Sequence, residues 1–344
     1  MSDRGVAGAA LLFALVLHAP SLMARDGAVA AQAREPIART AYFAFHSDPR
    51  YALYDALLAA ARESRFDRAD PYATQCLRRF SPEASARWTA AVREVGEAVE
   101  SKSEFGEERA AVRKALVTGR TPTLESHAAL TARVFDAMDG VREAWMHCHW
   151  PMLDAANRRW AEAVTPLLEA HEAPIAERLQ ALFEQRWRKL PIPVDLVGDA
   201  GWAAANTMVL DGGAHIQVRS THVPYHGPAS LEIVFHEASH ELVGRYNGPV
   251  ATLLRGAADD AGVALDDNLW HGLLFVSVGE VVEQRLRDAA GLSYSSIAHG
   301  VLRDAWGTMR VPLREHWLPV VRGESTRGDA ARALVVAVAK AAPD

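Results

Sequence analysis

Cysteine is scarce: only Cys76 and Cys148 occur in 344 residues. That excludes a disulfide-stapled miniature fold and a cysteine-based zinc finger, neither of which can be built from two widely separated thiols. Basic charge is also short, with 37 Lys+Arg against 43 Asp+Glu and a net charge of −6. Nucleic-acid partners are therefore not expected, because holding them by phosphate neutralisation needs an extended basic surface. No run approaches the roughly 18 unbroken apolar residues of a membrane span, and no cysteine precedes Cys76 to carry a lipid. No stable membrane anchor is expected. The 17 prolines and 23 glycines are scattered, without a fixed repeat or a low-complexity tract. A Gly-x-Ser-x-Gly elbow, a Walker loop and a dinucleotide fingerprint are all missing, so the common hydrolase and nucleotide-binding classes have no foothold.

What is present is a chain with 49% hydrophobic and 23% charged residues, enough for one large domain or two ordinary ones. Residues 6–17 form an apolar run too short to span a bilayer but suited to the central region of a signal peptide. Cleavage is expected near Ala24 or near Ala30, which makes residues 1–30 a leader and the protein secreted or periplasmic. In such a compartment Cys76 and Cys148 either pair or remain two separate buried thiols.

From about residue 40 to 190 apolar residues recur at helical spacing, as in Trp88 to Val99, Ala129 to Met138 and Ala155 to Leu182. Pro166 and Pro174 are expected to break or kink the last of these. His147 and His149 beside Trp145 and Trp150 read as packing residues. Near Pro191 the character changes. Residues 192–198, 207–210 and 214–219 read as short strands, the last two joined by the turn Asp211-Gly212-Gly213. Beyond Pro228, the stripe Leu231, Val234, Phe235, Ala238 and Leu242 marks an amphipathic helix. The fold expected is α+β and predominantly helical, with a helical domain over 31–190 and a second unit over 191–344.

That helix carries His236-Glu237-Ala238-Ser239-His240. Histidines at i and i+4 project from one side of a helix, so both imidazoles can reach a single tetrahedral Zn²⁺ at about 2.1 Å. Glu237, rotated by about 100°, can lie beside the metal as a general base. The pattern resembles the HExxH motif of the zincin metallopeptidases, in a match that covers about 50 residues from this helix to a downstream one. The resemblance implies a zincin-like unit in which a small sheet precedes the helix and an edge strand pairs with extended substrate. Residues 215–219 stand in the place of that strand.

A catalytic zinc needs a third ligand. The extended HExxHxxGxxH form is excluded, because Val243 and Tyr246 replace its glycine and histidine. Similarity to the thermolysin-like subgroup, the gluzincins, implies a glutamate from a later helix. Residues 269–287 form such a helix, and Glu280 is the expected third ligand, a charge embedded among Val276, Val278, Val281 and Val282. Glu283 and His271 are the alternatives. His271 lies nine residues before Glu280, on the opposite side of a straight helix, so both could serve only if Gly279 bent it. Both glutamates could instead simply pair with cations. The sequence departs from the subgroup around the ligand, with Gly279 and Gln284 where Asn and Asp are usual. Tyr294, His299, Tyr225 and His226 are candidate oxyanion donors.

The function expected is an exported zinc-dependent metallohydrolase, a peptidase by resemblance, with His236, His240 and Glu280 as ligands, Glu237 as base and a peptide or other amide as substrate. The alternative is a non-catalytic helical binding protein whose motif is accidental or holds a structural metal.

Overall fold

The computed structural model describes residues 34–63, 79–99, 106–201, 203–210, 212–244, 247–304 and 306–341. The expected signal peptide, residues 1–30, lies outside the described residues, as does Cys76. Cys148 is disulfide-bonded, and Cys76 is the only other cysteine in the chain.

The chain is predominantly helical, α+β, around one five-stranded mixed sheet. Its strands are β1 (Ala38–Arg39), β2 (Phe43–His46), β3 (Ile192–Val197), β4 (Ala205–Leu210) and β5 (Gly213–Arg219), in the order β1-β2-β3-β5-β4. β2 and β5 flank β3 in parallel, with Phe43 opposite Ile192 and Val194 opposite Ile216. The β4–β5 hairpin folds back antiparallel, pairing Thr207 with Ile216. A parallel pair needs a long crossover, and between β2 and β3 its described residues form five helices: α1 (Pro49–Glu63), α2 (Pro82–Ala98), α3 (Glu107–Thr118), α4 (Glu125–Cys148) and α5 (Trp150–Phe183). After the sheet come α6 (Ala229–Val243), α7 (Pro249–Ala261), α8 (Leu269–Ala290), α9 (Ile297–Asp304), α10 (Gly307–Pro312), a π-turn over Leu313–Trp317, α11 (Leu318–Arg322) and α12 (Arg327–Ala341).

Alternation along the strands gives the sheet two unlike faces. Phe43, Ile192, Val194, Leu196, Ile216 and Val218 look into the main core, where α5, α6, α8 and the C-terminal helices pack. The opposite face carries Asp195, His215, Gln217 and Asn206, all buried. Asp195 takes a two-pronged hydrogen bond from Arg34 and another from His215, while Gln217 donates to Asp55 of α1. A second apolar core lies among α1, α2 and α4, where Trp145 stacks on His149 at 4.1 Å. The two parts expected from the sequence thus share structure. β2, from the part before residue 190, is an inner strand of the sheet, and α5 packs in the main core.

Two expectations need correction. The helix over 150–183 is not broken at Pro166 or Pro174, which leaves a kink as the part of that expectation still open to them. Proline cannot donate to the carbonyl four residues back; for Pro174 that carbonyl is Ala170's, and it accepts instead from Arg285 Nη2 of α8 at 3.1 Å. Residues 215–219 are not an edge: β5 is inserted between β3 and β4, so β4 takes the outer position. The hairpin causes this, because β5 pairs with β3 and carries β4 outward.

Candidate metal centre

Helix α6 sinks Leu231, Val234, Phe235, Ala238 and Leu242 completely into the core. Glu232, His236 and His240 recur at four-residue steps along another stripe of the same helix. Helix α8 packs against α6 and contributes His271. One ring nitrogen from each of His236, His240 and His271 lies within 4.8 Å of the other two, and His236 Nε2 stands 3.2 Å from His271 Nε2. Two ligands about 2.1 Å from a tetrahedral metal lie about 3.4 Å apart, so this spacing suits a shared cation. The donor set suits one too. Burial first, and then the neighbouring imidazoles, hold His236 well below the usual histidine range. Burial and His271 bring His240 down to about 3. Neutral imidazole is the form that binds metal.

Glu237 is buried beside this cluster, with Oε2 3.8 Å from His240 Nε2. Its carboxyl is pushed up to about 8 by burial, against the lowering effect of a hydrogen bond from Thr207. A divalent cation among the imidazoles would reverse that upward push. Thr207 Oγ1 lies 2.7 Å from Glu237 Oε2 and 2.8 Å from the Glu237 carbonyl. A hydroxyl has one hydrogen to give, and once Glu237 is ionised the charge-assisted bond to its carboxylate is the stronger use of it. Glu241, the residue after the motif, accepts from the backbone N–H groups of Arg188 and Ala214 and ties the end of α6 to the hairpin.

Glu280 stands outside the three-histidine cluster. It accepts from Arg322 Nε at 2.9 Å and from Gln284 Nε2 at 2.8 Å. Helix α8 continues through Gly279, and its unbroken geometry turns His271 toward α6 and Glu280 toward Arg322. Glu283 accepts from the Ser296 backbone at 2.6 Å and lies 3.2 Å from His299 Nε2. The oxyanion candidates are engaged elsewhere. Tyr294 donates to Glu232, Tyr225 to the Ala203 carbonyl, and His226 is paired with the Ser220 carbonyl.

Sequence reasoning did not single out Thr207 or the rings around the cluster. Phe275 stacks on His236 at 3.8 Å, Trp270 on His271 at 4.8 Å, and Trp306 lies 5.0 Å from His271. For Phe275 the available signal was its four-residue step from His271; for Thr207 it was a strand position facing the motif helix. No family model matches the chain, and no curated protein or solved structure matches it.

Proposed function

We propose that this chain is an exported zinc-dependent metallohydrolase of the HExxH type that cleaves peptide bonds, with His236, His240 and His271 as metal ligands and Glu237 as general base. The observation that carries the reading is the convergence of three imidazoles from two helices beside a buried carboxylate. Glu280 as third ligand, and with it the thermolysin-like subgroup, forms no part of the proposal, because that carboxylate is bonded to Arg322. The resemblance to zincins is kept for the motif helix and for the sheet that supports it.

His236, His240 and His271 would hold the zinc, which when bound would supply Lewis-acid polarisation of a scissile carbonyl and lower the pKa of a water to about 7. Glu237 takes the proton of the attacking water and returns it to the leaving amine. Thr207 keeps the carboxylate turned toward the cluster during this exchange. The outer side of β4 carries no further strand among the described residues, and it offers backbone groups to an extended peptide. Export is supported by the apolar run at 6–17 and by the bonded Cys148, since disulfides persist in oxidising compartments.

Elemental analysis of the purified protein tests the reading. About one zinc per chain is expected in wild type and in Glu280→Ala, and none in His236→Ala, His240→Ala or His271→Ala. Glu237→Gln is expected to keep the zinc and to lose hydrolysis. No zinc in wild type after supplementation overturns the proposal and leaves a non-catalytic helical binding protein.

A further inference from the structure

A metal-binding histidine ordinarily donates its second ring N–H to a carboxylate, a carbonyl or a water, which fixes the ring and raises its basicity. His236 departs from this. Its Nε2 faces His271, and its Nδ1 is buried with no hydrogen-bond partner among the described residues. What lies against the imidazole is the ring of Phe275, with centroids 3.8 Å apart and planes inclined by 30°. Phe275 sits one turn beyond His271 on α8, and its ring is also 5.0 Å from the His271 imidazole.

We infer that Phe275 is a positioning residue for the metal centre, holding the His236 imidazole by its ring face where a hydrogen-bonded acceptor would ordinarily do so. The inference rests on the metal-binding reading above. The physics favours it in the loaded state, because coordination draws positive charge onto the imidazole and an aromatic face attracts positive charge. An aliphatic side chain of similar size fills the same space without supplying that attraction or a flat stop against ring rotation. The ring also couples two ligands: one phenyl group touches the histidines contributed by α6 and by α8, so it sets their relative orientation.

Zinc affinity, measured by competition with a chromophoric chelator on metal-stripped full-length protein, separates this from a purely structural role. Phe275→Leu is expected to weaken zinc binding by about tenfold or more, as loss of an outer-shell partner does, while the metal-free protein melts near the wild-type temperature. Phe275→Tyr, which keeps the ring, is expected to stay close to wild-type affinity. Wild-type affinity in Phe275→Leu overturns the inference and leaves the metal centre standing. Absence of zinc binding in wild type overturns both. Should Phe275→Leu fail to fold, Phe275→Met, flexible and ringless, carries the same two outcomes.

Discussion

Arg322 and Glu280 are joined by a 2.9 Å hydrogen bond from Nε to Oε1, which places a buried carboxylate against the half-exposed end of a guanidinium. Gln284 donates to the same oxygen. Removing the cation leaves the carboxylate buried with one partner fewer, at a cost of about 1–2 kcal/mol after allowing for the solvent that reaches Arg322. Arg322→Ala should therefore lower stability by that amount in urea titration, with zinc content unchanged. Loss of zinc from this variant would tie Glu280 to the metal after all.

Thr207 spans the edge strand and the motif helix through its hydroxyl. Thr207→Val keeps the shape and removes the hydrogen bond to Glu237. Hydrolysis of fluorescent casein by the zinc-loaded protein should fall by about tenfold or more, a part of what a positioned general base contributes. Zinc content should not change, and Thr207→Ser should restore most of the rate. Equal rates in the valine variant and wild type would remove Thr207 from the machinery.

Asp55 is buried under the sheet, and burial pushes its carboxyl up to about 7 despite the Arg113 guanidinium 3.6 Å away. The folded-state value thus lies above the ordinary 3.8, so folding favours the protonated form. Its contribution to stability is complete below the ordinary value and is lost as pH rises through about 7. Melting temperatures across that window should fall more steeply for wild type than for Asp55→Asn, which does not ionise. Parallel curves for the two proteins would contradict the assignment.

Gly279 lets the segment before α9 approach α8 closely. A Cβ there would come within 2.8 Å of both the Cβ and Oγ of Ser296, and within 3.1 Å of the Ala298 Cβ. Gly279→Ala should cost about 1–3 kcal/mol as overpacking, despite alanine's better helix propensity. A stabilised variant, read by thermal melting, would show that this segment yields easily.

The motif helix was legible because its chemistry is local. His236, Glu237 and His240 lie within five consecutive positions, and the apolar stripe marks the segment as a helix; that the helix is buried on almost every side, its polar residues included, the stripe did not show. Strands β3, β4 and β5 were legible from alternation and from the glycine turn between the last two. β2 was not, since Phe43-Ala44-Phe45-His46 is four residues beside a long helical region and becomes a strand by pairing with β3. The third histidine was visible only as an alternative. Helical phase opposes His271 to Glu280, but which of them meets α6 depends on how two helices pack, and sequence spacing does not contain that. Thr207 was hidden for the same reason, because its partner belongs to another element.

The pairing of Phe43 with Ile192 also orders events in time. The whole crossover must be made and drawn together before β2 finds its neighbour, and closing so long a loop precedes any gain from the contacts it permits. Helix α6 rests on the sheet that this closure completes. His236, His240 and His271 all follow the crossover in the chain, so a chain emerging with its N-terminal half alone has helices to form but no metal to hold.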